Sequence, residues 1–264
     1  MVESGTEFAE NAVACEIALV FSGGLGLASY HAGAFEALTR SSLMPKWVTG
    51  SSAGSIAAAL VAGNIDAEQI VSSFRSFWDL PDTPASALHP WRHLQGWASA
   101  VRAHLTGAPG QFQPRLPSIN PYYFRSLYDL APMKNRLMKL IDFGRLNGGE
   151  IRISVATTDV ETGDPVVFDS KTCRIDIDHL LASCGFLPEF APVEIGGRML
   201  ADGGLSINAP FDPILADETP DKKTVFVIDL TPGTAAGPKR WKAQQSGRMI
   251  FCSAIRPSCG SGTK

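Results

Sequence analysis

The stretch Trp47-Val-Thr-Gly-Ser-Ser-Ala-Gly-Ser-Ile-Ala-Ala-Ala-Leu-Val-Ala62 decides how the rest of the chain is read. A β-favouring run, Trp47 to Thr49, meets the small residues Gly50 and Ser51 and then an alanine-rich segment with helical character, so Ser52 falls at a strand-to-helix junction. A turn this tight requires positions nearly free of side chain on both sides of the serine, and Gly50 and Gly54 stand two residues before and two after it. The five residues Gly50, Ser51, Ser52, Ala53 and Gly54 therefore read as a nucleophile elbow that projects the Ser52 hydroxyl alone. Unpaired N–H groups and the positive end of a helix dipole would favour negative charge developing there. Close packing of a small-residue helix on a sheet is the competing explanation. The position of the motif between a strand signal and a helix signal favours the nucleophile.

Composition bounds the possibilities. With 264 residues, the chain is long enough for one large α/β domain, and no linker-like stretch divides it. Hydrophobic residues make up 45%, charged residues 19%, and the net charge is -3, a balance that gives no electrostatic attraction to nucleic acid. The five cysteines (Cys15, Cys173, Cys184, Cys252, Cys259) are odd in number and lack paired CxxC spacing, so reduced structural thiols are expected and no metal site. Glu3, Glu7 and Glu10 stand where a secretory signal would carry basic residues, and the longest apolar region, Ile17 to Leu38, is interrupted too often to span a membrane. A cytoplasmic protein, at most peripheral at a membrane surface, is the expectation.

Residues 1–15 read as a flexible leader, after which Glu16 to Phe21 is a buried strand. It runs into Ser22-Gly-Gly-Leu-Gly-Leu-Ala28 and then a helix from Ser29 to Arg40, an arrangement of glycines suited to binding anions. A dinucleotide site would want an acidic residue roughly 20 positions on, and Thr39 to Thr49 contains none. A helix is expected from Asp66 to Trp78, and the proline- and aromatic-rich region 79–121, with Trp91 and Trp97, reads as an inserted cap. Two short helices are expected over Tyr122–Leu130 and Pro132–Ile141. Ile151 to Val155 is a strand that pairs with Asp164–Asp169 across a turn, and Asp176 to Cys184 is a short helix. Gly196-Gly197 marks a two-residue hairpin that ends on Asp202-Gly203-Gly204, and Lys223 to Leu230 is the last clear central strand. Periodicity fades beyond Pro232, and Cys259 to Lys264 reads as a disordered polar tail.

A serine nucleophile needs a general base, and the order of residues argues against the usual histidine. In an α/β-hydrolase the order is serine, acid, histidine, but His31, His89, His93, His104 and His179 all precede Asp202. A triad of an earlier aspartate and His179 remains conceivable, although His179 in Asp176-Ile-Asp-His-Leu-Leu reads as a half-exposed helix residue. As a base, an aspartate with an ordinary pKa near ~3.9 is weak, so the proton must move while the carbonyl is attacked; an apolar surround would help by raising that pKa.

Gly23-Gly24 after a strand, Gly50-Ser51-Ser52-Ala53-Gly54 at an elbow and Asp202-Gly203-Gly204 after a hairpin resemble, in order and spacing, the three signatures of the patatin-like phospholipases. The likeness runs from about Ile17 to Pro232 and takes in Tyr30-His-Ala-Gly33, Phe143-Gly-Arg-Leu-Asn-Gly-Gly149 and Asn208-Ala-Pro210. It implies a three-layer α/β/α fold with a mostly parallel central sheet over 16–232, an inserted cap at about 79–121, and an atypical, truncated or disordered tail at 233–264. It also implies hydrolysis of acyl esters of phospholipids or other lipids through an acyl-serine intermediate, with no cofactor. Ser52 would be the nucleophile, Asp202 the base, and the backbone N–H groups of Gly23, Gly24 and Leu25 the oxyanion hole. The chain departs from the family pattern where Leu25, Leu27 and Ala28 occupy the third, fifth and sixth places of the glycine loop, and again beyond Gly237. Those departures motivate the alternative, a catalytically weak or inactive lipid-binding module on the same fold.

Overall fold

A computed structural model describes residues 16–78, 105–115, 126–218, 223–230 and 249–255. In chain order its strands are β1 (Glu16–Phe21), β2 (Trp47–Ser51), β3 (Gln113–Pro114), β4 (Tyr128–Asp129), β5 (Arg152–Asp159), β6 (Pro165–Asp169), β7 (Val193–Ile195), β8 (Arg198–Asp202), β9 (Lys223–Asp229) and β10 (Met249–Ile255). Eight of them form one sheet in the order β10-β9-β1-β2-β5-β8-β7, with β6 also on β5, while β3 and β4 make a small separate ladder. The run from β10 to β5 is parallel, and β6, β7 and β8 add antiparallel pairs. This is the mixed α/β architecture with a mostly parallel sheet expected from the sequence.

Strand alternation splits the core in two. Ile17, Leu19 and Phe21 of β1 point into the larger cluster, with Val48, Ile153, Val155 and Ile228 from neighbouring strands, whereas Ala18 and Val20 join Trp47 and Val225 on the opposite face. The larger face is covered by the helices Ala53–Ala62, Ala67–Trp78, Ala131–Leu140 and Ile177–Ser183; among the described residues the smaller face takes Ile214, from the short helix Asp212–Leu215. Helix Ala53–Ala62 is buried on every side, which accounts for its all-apolar and small composition. Helix Ala67–Trp78 instead buries one stripe, Ile70, Ser73, Phe74 and Phe77, and sets Phe74 against Phe35 at 5.9 Å between ring centroids.

The register around β5 is the feature that positions the site. Its residues Ser154 to Thr158 pair with β6 on one edge, while on the other edge Arg152 to Ala156 pair with β2, ending at Ser51 opposite Ala156. Thr157 pairs with both Val166 of β6 and Asp202 of β8, so β8 takes over the β2 edge where β2 stops. Because β2 is parallel and β8 antiparallel to β5, their C-terminal ends meet head to head. At the opposite end of the sheet the Arg152 guanidinium lies 3.5 Å from the centroid of the Trp47 ring and bonds Asp169 at 2.9 Å and Asp217 at 3.0 Å, and Lys223 reaches Asp217 at 2.8 Å. That charged cluster closes the N-terminal edge.

Two expectations change. The described part of Tyr122–Leu130 holds a strand, β4, instead of a helix: Tyr128 donates its N–H to the Glu189 carbonyl and packs among Phe112 and Phe190, tertiary contacts that outweigh local helix propensity. The tail is also not without pattern, since Met249–Ile255 adds a parallel edge strand to β9. Residues 1–15, most of the cap including Trp91 and Trp97, and Cys259–Lys264 lie outside the described residues. Among those described, no helix is long and apolar enough to cross a membrane.

Two glycines give opposite expectations. A Cβ at Gly54 would run into the Phe21 and Ser22 carbonyls of the adjacent backbone, whereas one at Gly33, exposed within helix Tyr30–Arg40, would meet nothing within 4 Å. Gly54→Ala should therefore destabilise by about 3 kcal/mol or abolish folding. Gly33→Ala should stabilise by about 0.5–1 kcal/mol. Denaturant titration of both variants checks the pair.

Candidate active site

Where β2 ends, the chain must turn sharply to begin helix Ala53–Ala62, and Ser52 absorbs the turn at φ 54°, ψ -129°. A positive φ at a non-glycine residue costs on the order of 1–3 kcal/mol and persists only where the surroundings impose it. They do so here: a Cβ on Gly50 would overlap the Gly54 carbonyl, so the two flanking glycines let the turn close upon itself. Ser51 ends β2 as a buried residue, and Ala53 opens the helix against Ala28 and Leu230. No side chain caps this helix. The Ser52 N–H is held from elsewhere, by Ser183 Oγ at 2.9 Å, while its carbonyl accepts the Ser55 N–H at 2.9 Å and Oγ at 2.7 Å from the helix itself and Cys184 Sγ at 3.3 Å.

Ser52 Oγ donates to Asp202 Oδ2 at 2.6 Å, across 150 residues of sequence. Both side chains are largely shielded, Ser52 at 7% and Asp202 at 2% exposure. Asp202 Oδ1 accepts the Gly204 N–H at 2.7 Å, its backbone N–H donates to the Gly185 carbonyl at 3.1 Å, and its own carbonyl accepts Thr158 Oγ1 at 2.8 Å. Gly203 is needed for clearance, since its Cβ would strike the Ala156 carbonyl on β5 and lie 2.6 Å from Ser51 Oγ. Burial pushes the Asp202 carboxyl above its ordinary value, and the hydrogen bonds from Ser52 and Gly204 oppose that rise without cancelling it. The same burial, reinforced by the Asp202 charge, raises the Cys184 thiol and leaves it protonated.

The glycine loop lies against this pair. A Cβ at Gly23 would fall 3.1 Å from Ser52 Cβ and 2.5 Å from Asn208 Oδ1, so only glycine allows the loop so near the serine. Gly23 is not available as an oxyanion donor, however: its N–H is given to the Asn208 carbonyl at 3.0 Å. Gly24 packs on the Leu230 side chain, and Leu25 opens a 3-10 turn, Leu25–Ser29.

His179 differs from expectation. It is buried, stands edge-on to Phe168 at 4.5 Å between ring centroids, and completes the cap of its own helix, Nδ1 accepting the Asp176 N–H at 3.1 Å. The capping geometry turns the ring back toward the helix start and onto Phe168. His31 is also a core residue, edge-on to Phe21, and burial pushes it down to about 3, so it stays neutral. Nothing in the sequence marks Ser183 or Thr158, and Cys184 reads there only as a structural thiol; each acts through a backbone contact that no motif encodes. Asn208 was visible in Asn208-Ala-Pro210, but its hold on Gly23 was not. Among the described residues no group of three or more His, Cys, Asp or Glu side chains is placed to hold a metal ion.

The mostly parallel sheet thus carries a strained serine elbow hydrogen-bonded to a buried aspartate, and comparison with known proteins gives the family. The patatin-like phospholipase family model matches residues 19–215, and the chain belongs to that family. Two solved structures are similar: VipD from Legionella pneumophila, with TM-score 0.47, 15% identity and coverage of 84% of this chain and 51% of that one; and full-length SpcU in complex with full-length ExoU from the type III secretion system of Pseudomonas aeruginosa, with TM-score 0.41, 14% identity and coverage of 84% and 45%. The chain thus spans about half the length of these matched structures. No curated protein sequence matches it.

The raised Asp202 pKa has a signed consequence for stability. Between the ordinary carboxylate pKa of about 3.9 and the raised native value, the native state keeps a proton that the unfolded chain has released, so stability falls as pH rises through that window. Asp202→Asn removes this dependence. The variant should be more stable than wild type near pH ~7, the gap closing below pH ~4. Paired denaturant titrations over that range check the prediction, and a wild type more stable than the variant at neutral pH would refute it.

Proposed function

We propose that the chain is a serine esterase acting on acyl esters of lipids, of the phospholipase A or lysophospholipase type, with Ser52 as nucleophile and Asp202 as its base. The single observation that carries this reading is the 2.6 Å hydrogen bond from Ser52 Oγ to Asp202 Oδ2, inside a chain of the patatin-like phospholipase family.

In this mechanism Ser52 Oγ attacks the ester carbonyl carbon while its proton passes to Asp202 Oδ2. The raised pKa of the buried carboxyl makes it a stronger base than a solvated aspartate. The tetrahedral oxyanion faces the N–H groups of Gly24 and Leu25 and the start of helix Ala53–Ala62, where preorganised donors are each worth on the order of 3 kcal/mol. Asp202 then returns the proton to the leaving alcohol, giving acyl-Ser52. A water molecule, deprotonated by Asp202, attacks the acyl carbonyl, releases the fatty acid and restores the serine. No cofactor enters these steps, and the partner is the lipid itself, met at a membrane or micelle surface.

A second reading, a lipid-binding module with little turnover, draws on one observation: Gly23 has already committed its N–H to Asn208. The two separate with a fluorophosphonate probe, which labels only an activated serine.

Ser52→Ala should abolish both labelling and hydrolysis of a short-chain ester while leaving the fold intact. Hydrolysis at the wild-type rate would remove Ser52 from the mechanism. Asp202→Asn should lower kcat by about 10²–10⁴-fold, since the amide cannot accept the proton. His179→Ala should retain most activity, its cost being packing and a helix cap, on the order of 1–2 kcal/mol of stability. Under a histidine-based triad the two results would be exchanged. The pH profile of kcat/KM offers a further check: activity should rise with pH through an apparent pKa above the usual carboxylate range, because only the ionised Asp202 accepts the proton.

A further inference from the structure

The nucleophile's backbone is anchored by a residue outside every motif of the chain. Ser183, the last residue of helix Ile177–Ser183, is fully buried, and its hydroxyl proton is committed to the Ala156 carbonyl on β5 at 2.6 Å. A hydroxyl has one proton and two lone pairs, so that donation leaves Ser183 Oγ as an acceptor, and the Ser52 N–H fills it at 2.9 Å. The next two residues continue the pattern. Cys184 Sγ donates to the Ser52 carbonyl at 3.3 Å, and the Gly185 carbonyl accepts the Asp202 N–H at 3.1 Å. One segment of three residues thus grips the main chain of both Ser52 and Asp202, and it is itself pinned to β5, the strand whose register brings the two together.

We infer that Ser183 is a positioning residue for the hydrolytic reaction: by holding the Ser52 N–H against the Ala156 carbonyl's strand, it fixes the left-handed backbone of the nucleophile and so the direction of its Oγ toward Asp202. The inference rests on the reading of Ser52 as the nucleophile. Its physical basis is the geometry of the elbow. β2 has ended and the helix has not begun, so neither the ladder nor the helix supplies a partner for that N–H, and a buried unpaired donor is costly. Without the Ser183 oxygen the peptide that joins Ser51 to Ser52 turns to seek another acceptor for that N–H, and Oγ leaves its line to Asp202. Ser183 touches neither the carboxylate nor the reacting oxygen in this arrangement; it acts on where Ser52 sits, not on its proton.

The test compares Ser183→Ala and Ser183→Thr with wild type by three measurements: kcat and KM on a soluble short-chain ester, the rate of fluorophosphonate labelling, and hydrogen exchange of the Ser52 amide. For Ser183→Ala, kcat and the labelling rate should fall together by about 10- to 100-fold with KM within about twofold, as expected for a misplaced but still bound reacting group. The Ser52 amide should exchange at least about tenfold faster, having lost its acceptor. Ser183→Thr, which keeps the hydroxyl, should recover most of the lost kcat if it folds, and the exchange measurement on Ser183→Ala stands if it does not. Wild-type kcat in Ser183→Ala, a loss confined to KM, or unchanged exchange of the Ser52 amide would each overturn the assignment. The two readings fail separately: a wild-type protein that neither hydrolyses nor labels refutes the nucleophile, whereas an active, labelled enzyme indifferent to Ser183→Ala refutes only the positioning role.

Discussion

Two consecutive residues of β5 set the geometry on which the site depends. Ala156 receives the end of β2 and Thr157 the end of β8, so a strand arriving from one direction and a strand arriving from the other stop one residue apart on the same edge. A shift of register by one residue in either pairing would reverse side-chain facing and separate Ser52 from Asp202. The parallel sheet supplies the first half of this arrangement. The hairpin of β7 and β8 supplies the second.

The junction creates a problem of backbone satisfaction that the molecule solves with side chains. Ser52 has positive φ and lies between a finished strand and an unstarted helix, so its N–H needs a partner from outside regular structure. Ser183 provides it, and the carbonyl, which already takes the Ser55 N–H of the helix, is held further by the Ser55 hydroxyl and the Cys184 thiol. Asp202 is in a similar position at the end of β8, with Gly185 and Thr158 holding its main chain. Such dense tethering lets strain persist at the serine, and burial keeps the carboxyl less acidic than it would be in water.

The sheet is also polarised in its chemistry. Where β2 and β8 end, it gathers glycines, hydroxyls and Asp202, and the small residues permit close approach of backbone to backbone. Its N-terminal edge gathers the ion pairs among Arg152, Asp169, Asp217 and Lys223 beneath the Trp47 ring. Buried pairs of this kind add little net stability but are costly to break singly, which favours one register of β1, β2, β5 and β9 over its neighbours. The ladder holding Ser52 and Asp202 together is thus pinned at its far end.

Local physics was enough to place much of this in advance. The all-apolar composition of Ala53–Ala62 marks a fully buried helix, Gly50 and Gly54 mark an elbow because nothing larger fits, and Gly196-Gly197 marks the hairpin because its turn needs positive φ, observed at 60° and 77°. These are requirements of neighbours in sequence, and residue type reveals them. Contacts between distant segments were not visible in that way. Tyr128 became a strand through Glu189, Phe112 and Phe190, His179 was drawn inward by its cap and by Phe168, and Gly23 gave its N–H to Asn208, 185 residues away. By itself the sequence determined the α/β class and the elbow, because each has a local steric or periodic signature, whereas the partnership of Ser52 with Asp202 was legible only through the resemblance to a family. Only the tertiary structure decided what holds them in place, because a hydroxyl such as Ser183 acquires its partner from the packing of a helix against β5, and that packing leaves no mark on the residues beside it.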